Sequence, residues 1–425
     1  MSVDLDLIFT KFNKKIDNFL DNLSYQPEAL GIAVSGGSDS LGLLYLINSW
    51  PNKKNLKITI LTVDHNLRDE SADEALYVGG LCKTLGLEHK TLYWDHENIK
   101  GNLSASAREA RYRLMQNSMP SRAILITGHT LDDQAETFLM RLRRGSGVDG
   151  LASMAERSYL PFGKNEMTIF RPLLDFERNT LKNILKFYKV DWIDDPSNDD
   201  QSYERVRVRN LLARFVEIGI DKHTISRTAL LMQSAKTALN HFALEYYEQF
   251  GSCDNGDIIF DFAEFSKQPL DIKRRLISAA QKWVSNQKYR SRLSQVDSVI
   301  NSLDEKITFS GSGTICYFHA DSIKITREVN ACGGAIDASN GAIFDRTWKL
   351  ITSENCKDLT IKCLGEDGYT LLEPVIRKKI PYKTIVALPA LFKDNNLISF
   401  PFIDPESKFR FHLCKQPFNQ FLLDH

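Results

Sequence analysis

Gly31-Ile32-Ala33-Val34-Ser35-Gly36-Gly37-Ser38-Asp39-Ser40, followed by the apolar run from Leu41 to Ile47, is the stretch on which the fold turns. Ile32, Ala33 and Val34 read as the end of a buried strand. The two glycines allow a tight turn, and Asp39 with Leu41, Leu43, Leu44 and Ile47 begins an amphipathic helix. A strand, loop and helix start of this kind aims backbone N–H groups and a helix N-terminus at one spot, where phosphate binds. No Gly-Lys-Ser/Thr ending follows, so the loop is not a Walker loop with a lysine between the terminal phosphates.

Outward from this loop, apolar strands alternate with helices. After a helix over 5–23, β-like runs fall at 31–34, 57–63, 90–94, 123–127 and 168–171, and helical stretches at 71–85, 104–117 and 132–144. That alternation predicts an α/β fold with a doubly wound parallel sheet, whose ligands bind beyond the carboxyl ends of the strands. From about Tyr203 to Leu303 helices dominate. Runs at 313–318 and 322–326, and then at 359–364, 385–388 and 397–400, read as strands. The expected division is a nucleotide-binding catalytic domain over 1–215, a mainly helical domain over 216–345 and a small, mostly β domain over 350–425.

The balance of 54 basic and 54 acidic residues gives no net field, so any nucleic-acid surface must come from local clusters. Seven cysteines without a Cys-x-x-Cys pair read as reduced thiols of a cytoplasmic protein, not as a zinc site or disulfide framework. Charged residues within the first twenty positions exclude a signal peptide or membrane span there.

A second constellation is Thr127-Gly128-His129-Thr130-Leu131-Asp132-Asp133-Gln134-Ala135-Glu136-Thr137. It opens a helix with Ala135, Phe138, Leu139 and Leu142 on an apolar face and Asp132 and Glu136 one turn apart on the other. Acidic residues at a helix start also serve as caps. Facing a polyphosphate together with Asp39, these carboxylates need a cation between them, and Mg²⁺ suits one or two carboxylates plus phosphate oxygens. His129 reads either as a satisfied strand-end residue or as a site residue. Arg108 and Arg111 share a helix face, which is a basic surface or part of a site. Asp195-Pro196-Ser197-Asn198 is a turn, and Arg205, Arg207 and Arg209, alternating with Val206 and Val208, suggest a phosphate-facing strip.

Ser35-Gly36-Gly37-Ser38-Asp39-Ser40 is similar to the signature of the PP-loop ATP pyrophosphatases. With His129 to Thr137 and Asp195 to Asn198, the chain resembles the tRNA(Ile)-lysidine synthetase family over nearly its full length. The turn Asp64-His65-Asn66-Leu67-Arg68, Arg108 to Tyr112, Arg144-Gly145-Ser146-Gly147 with Gly150-Leu151, and Arg171-Pro172-Leu173-Leu174 recur in that family in this order. The resemblance implies adenylation of the wobble cytidine of tRNA(Ile) with a CAU anticodon, with loss of pyrophosphate. Free L-lysine then displaces AMP to give lysidine.

It implies ATP on Ser35, Gly36, Gly37, Ser38, Asp39 and Ser40, with Val63, His65, Gly128 and His129 as further nucleotide contacts. Mg²⁺ is expected at Asp39 and Asp133. Asp132, Asp133 and Glu136 are expected where cytosine, metal and lysine meet, and Arg111 and Arg205 against phosphates or the lysine carboxylate. The two later domains are expected to bind tRNA. There Lys273, Arg274, Arg275, Arg377, Lys378, Lys379 and Lys383 read as backbone contacts or as solvated surface. Oligomeric state stays open, a homodimer being one arrangement that suits an enzyme of this size.

Two departures from the family pattern stand out. Gly150-Leu151-Ala152-Ser153-Met154 replaces Gly-Leu-x-Gly-Met, a small-for-small change expected to be tolerated. Pro381-Tyr382-Lys383-Thr384 stands where the family has an aromatic residue followed by arginine. The nearest rival activity, thiolation of a tRNA base, is disfavoured because no cysteine lies in the loop motifs. A non-catalytic RNA-binding protein is disfavoured by the intact loop.

Overall fold

The computed structural model describes residues 5–66, 71–95, 103–160, 167–194, 200–404 and 406–424. Two compact units divide at Lys236/Thr237.

In the first unit, α1 (Leu5–Asp21) precedes β1 (Leu30–Ala33), α2 (Ser38–Ser49), β2 (Ile58–Asp64), α3 (Ser71–Thr84), β3 (Glu88–Tyr93), α4 (Leu103–Asn117), β4 (Ile124–Thr127) and α5 (Leu131–Arg143). There follow α6 (Val148–Leu151), β5 (Arg157–Leu160), β6 (Met167–Phe170), α7 (Arg178–Phe187), α8 (Glu204–Phe215) and the start of α9 (Lys222–Phe250). The sheet order is β3-β2-β1-β4-β6-β5. All pairs are parallel except β5 with β6, so an antiparallel edge strand that the sequence reading missed closes one side.

The helix expected to be amphipathic, α2, is buried at every position from Ser40 to Ile47. It lies in the main core with Phe12 and Ile16 of α1, Ile32 of β1 and Leu181 of α7. Gly42 makes this packing feasible, since a Cβ there would lie 2.7 Å from the Leu181 Cβ. Burial on all sides holds the loop before α2 to the end of β1.

The second unit starts within α9 and adds β7 (Gly251–Asp254), β8 (Asp257–Asp261), α10 (Phe262–Ser266), α11 (Leu270–Ser285), α12 (Leu293–Asp304), β9 (Phe309–Gly311), β10 (Thr314–His319) and β11 (Ser322–Arg327). Then come β12 (Ile336–Asp337), β13 (Ile343–Phe344), β14 (Trp348–Thr352), β15 (Thr360–Cys363), α13 (Gly365–Leu371), α14 (Pro374–Arg377), α15 (Tyr382–Ile385), β16 (Pro389–Lys393), β17 (Asn396–Ser399), β18 (Phe409–Leu413) and α16 (Phe418–Asp424). Its sheets are β7-β8-β11-β10-β9, β12-β15-β16-β17 and β13-β14-β18. One core gathers α11, α12 and the first of these sheets, and another gathers 338–400. Two cores support, as a proposal, the further division expected near 345.

Two segments differ from expectation. The hairpin β7–β8 falls in a stretch read as helical. Its turn is Asn255-Gly256 with φ of 49° and 79°, a two-residue reversal whose left-handed backbone matches strand twist. The strand expected over 385–388 begins instead at Pro389. Residues 385–388 fill the core as the end of a short helical turn.

The basic run 273–275 is committed internally. Arg274 pairs with Asp297 at 2.7 Å, and Arg275, buried, bonds Asp271 and Asn240. Arg377 donates to the carbonyls of Leu372 and Thr370, and Lys383 to the Thr308 hydroxyl. Arg274, Arg275, Arg377 and Lys383 thus have intramolecular partners.

Asp257, buried at the start of β8, accepts from the Thr384 hydroxyl. Burial pushes its carboxyl up to about 7 against the opposing effect of Thr326, Thr384 and Lys324. With the folded value above the unfolded one, its contribution is fully present below about pH 4 and is lost as pH rises through 7. Asp257→Asn should therefore gain on the wild type by about 2–4 kcal/mol between pH 5 and pH 8. Urea denaturation at both values checks this, and a pH-independent difference would count against it.

Candidate active site

β1 lies between β2 and β4, with Ala33 level with both Leu61 and Thr127. The chain leaves β1 toward β2 and β3, then returns to β4 on the other side, so the loops after β1 and β4 part and leave a crevice. In the β1 loop Gly36 has φ +87°, and a Cβ there would stand 2.8 Å from Ile193 Cδ1. Only glycine fits. The Ser40 hydroxyl donates to the Gly37 carbonyl at 2.9 Å and accepts from the Ser35 N–H at 3.1 Å, bracing the loop from within. Gly37 caps α2 with no side-chain hydrogen bond, so no cap competes for the first-turn N–H groups that an anion would use. At Gly128 a Cβ would come within 3.0 Å of the Asp39 carbonyl oxygen and 3.3 Å of Ser40 Cα. Glycine thus brings the turn after β4 against the start of α2, so that Gly128 lies beside Asp39 and Ser40.

α5 starts with a capping box. The Asp133 carboxylate accepts from the Thr130 N–H at 2.8 Å and from its hydroxyl at 2.9 Å, while the Thr130 hydroxyl caps the Asp133 N–H. The other Asp133 oxygen takes Arg205 at 3.0 Å. Glu136 is only 1% exposed. Its oxygens take Arg205 Nε at 2.7 Å and Arg209 Nε at 2.9 Å. Arg205 and Arg209 are one turn apart on α8, whereas Arg207 turns away to the carbonyls of Gln201 and Ser202. Helical geometry therefore divides the expected strip. The adjoining Asp195 to Asn198 and residues 67–68 of the Asp64 turn lie outside the described residues.

Arg178, which the sequence reading did not single out, joins these groups. Its Nε reaches Asp39 Oδ2 at 2.9 Å, Nη2 reaches Asp133 Oδ1 at 3.5 Å and Nη1 reaches Glu136 Oε1 at 3.6 Å. Its backbone N–H donates to Asp132 Oδ2 at 2.9 Å. Lys222 spans Asp132 at 3.2 Å and Glu177 at 3.0 Å. Burial opposes the charge on Arg178, but the three carboxylates outweigh it and raise its pKa. Burial raises the Asp39 pKa, only partly offset by Arg178. Burial also works against ionised Asp133, yet the charges of Arg205 and Arg178 hold its carboxyl below the ordinary range.

A second group lies at the end of β2. Arg111 donates to His65 Nε2 at 3.3 Å through Nε, so its contact is with His65 and not with Arg205. Burial, helped by Arg111 and opposed by Asp64, lowers His65 to about 4. Val63, half-buried near the end of β2, packs against the apolar cluster that includes Leu61 and Tyr112. His129 bonds the Thr127 hydroxyl at 2.8 Å, and burial with the charges of Arg171, Arg108 and Arg205 depresses its pKa strongly against the pull of Asp133. Burial thus biases both imidazoles toward the neutral form.

Residues 8–215 match the PP-loop domain family. Over 377 residues the chain is 33% identical to a tRNA(Ile)-lysidine synthase of Ruegeria pomeroyi, covering 88% of each protein. This chain belongs to the tRNA(Ile)-lysidine synthase family. A relative of that name from Wolbachia pipientis is 33% identical over 96% of this chain and 94% of its own, and one from Orientia tsutsugamushi 32% over 84% and 85%.

The departure from the lysidine synthase pattern at position 153 has a structural cost. Ser153 has φ +54°, the left-handed region that glycine enters freely, and its hydroxyl is buried without a hydrogen-bond partner. Arg141 holds the backbone there by donating to the carbonyls of Gly150 and Ser153, both at 2.9 Å. The small-for-small change is accommodated under strain. Ser153→Gly should raise stability by about 1 kcal/mol, seen as a higher urea midpoint with unchanged slope.

Proposed function

We propose that this protein uses ATP to join free lysine to the wobble cytidine of tRNA(Ile) carrying a CAU anticodon. The Gly128 contact carries the reading, because it sets a phosphate-type loop directly against a carboxylate cluster in a chain similar to lysidine synthases along most of its length. Ser35 to Ser40 would hold the outer phosphates at the start of α2, leaving the α-phosphorus open to the cytosine carbonyl oxygen. The phosphorus–oxygen bond to pyrophosphate breaks as the bond to cytidine forms. The lysine ε-amine, losing a proton to a nearby carboxylate, then adds at the activated carbon and AMP departs.

The proton acceptor is assigned to the Asp132, Asp133 and Glu136 group, the carboxylates gathered on α5 beside the loop. Arg205 and Arg209 fix Glu136 and steady developing negative charge. Arg111, beside His65, belongs to the nucleotide end of the crevice. Asp39 and Asp133 form a donor set that suits Mg²⁺, which supplies charge neutralisation at the phosphates. Asp39 is bonded to Arg178, and Asp133 to Arg178 and Arg205, so an ion would displace a guanidinium to reach either carboxylate. Sulfur delivery finds no support in the first unit, where Cys82 is buried and its thiol is pushed up to about 11.

The test is mass analysis of nucleosides from a CAU-anticodon tRNA(Ile) incubated with protein, ATP and isotope-labelled lysine. A cytidine carrying the label supports the reading. A sulfur-containing or unmodified base rejects it.

A further inference from the structure

Arg178 is held at both ends, by its backbone and by its guanidinium. Its backbone is pinned because Asp132, from α5, accepts the first N–H of α7, where Glu177 offers no side-chain cap. Its side chain extends into the crevice and is about 20% exposed. There the guanidinium lies between carboxylates at the starts of two different helices, Asp39 of α2 and Asp133 of α5, with Glu136 behind. Arg205 also pairs with Asp133 and Glu136, and Arg209 with Glu136, whereas the ion pair of Asp39 is with Arg178, so without Arg178 the Asp39 and Asp133 carboxylates would repel in a partly buried site. A divalent ion on Asp39 and Asp133 would meet the same oxygens and an adjacent positive charge.

We propose that Arg178 is the counter-ion of the metal position, excluding a free divalent cation from Asp39 and Asp133 and giving way only when the ion arrives with the negative charge of the nucleotide. The inference rests on the metal assignment made under Proposed function. Its chemical consequence is an order of loading. Metal alone binds poorly, and the metal–nucleotide complex binds well because its phosphates offer the displaced guanidinium a new partner. Arg178 is thus a positioning residue, acting through Asp39 and Asp133.

The experiment measures Mn²⁺ binding by electron paramagnetic resonance, with and without ATP, on the full chain and on Arg178→Gln, Arg178→Lys, Asp39→Asn and Arg178→Gln/Asp39→Asn. Without ATP, Arg178→Gln should bind Mn²⁺ at least ~10-fold more tightly than wild type, a change of about 1.4 kcal/mol. Arg178→Lys, which keeps the charge, should stay near wild type, and the double variant should lose the gain. Circular dichroism verifies folding. If Arg178→Gln unfolds, Arg178→Lys still decides, because a mere packing role for the guanidinium predicts tighter Mn²⁺ binding once its fork is gone. Unchanged Mn²⁺ affinity in folded Arg178→Gln, with Asp39→Asn still weakening Mn²⁺–ATP binding, overturns the inference and spares the metal assignment. Mn²⁺–ATP binding indifferent to Asp39→Asn overturns both.

Discussion

Asp39→Ala should lower pyrophosphate release by about 10³-fold while leaving tRNA affinity within about twofold. Asp39 sits on the first turn of α2, and the Gly128 approach sets the β4 loop against its backbone. Its carboxylate reaches Arg178 within the crevice. The proposed role of Asp39 is accordingly with phosphate and metal, not with the charges that would hold an RNA backbone. Alanine also frees Arg178 from its shortest partner, so Asp39→Asn, which keeps a hydrogen-bond acceptor, separates loss of charge from disorder of the guanidinium. Both variants should be deficient, and alanine more so. Pyrophosphate release at the wild-type rate would remove Asp39 from the metal and phosphate machinery.

The second large effect is expected at Glu136. Its buried carboxylate is the meeting point of Arg205, Arg209 and Arg178, at 2.7, 2.9 and 3.6 Å. Removing one partner of a buried ion pair typically costs about 3–5 kcal/mol. Arg205 and Arg209 are 41% and 37% exposed and can turn toward water, so the expected loss for Glu136→Ala falls to about 2–4 kcal/mol. Glu136→Gln, retaining acceptor and volume but not charge, should lose less. Urea denaturation measures both, and a loss below about 1 kcal/mol for alanine would mean that α5 and α8 are joined mainly by the apolar contacts of Ala135, Phe138 and Val208.

These residues also show what sequence can and cannot disclose. The loop from Ser35 to Ser40 was legible because a strand, two glycines and a helix start are local events with local causes. The same holds for the spacing of α3, α4 and α5. Asn255-Gly256 was equally legible as a turn and was passed over because helical stretches surround it. Arg178 was not legible. Its partner Asp39 lies 139 positions away, and nothing around Arg178 distinguishes it from any arginine opening a helix. Position 153 needed a backbone angle before a serine in place of glycine became a strained residue. The arginines of α8 alternate in sequence, but the helix sends Arg205 and Arg209 to Glu136 and Arg207 elsewhere. Residue type was readable there, and direction was not.

In the proposed reaction the crevice activates the tRNA first and uses lysine only afterwards. The most direct measurement is rapid-quench pyrophosphate release from ATP with CAU-anticodon tRNA(Ile), with and without free lysine. The account predicts a tRNA-dependent burst of about one pyrophosphate per site without lysine, and continued turnover with lysine appearing in the tRNA. Absence of any burst until lysine is added, or turnover indifferent to tRNA, would contradict it.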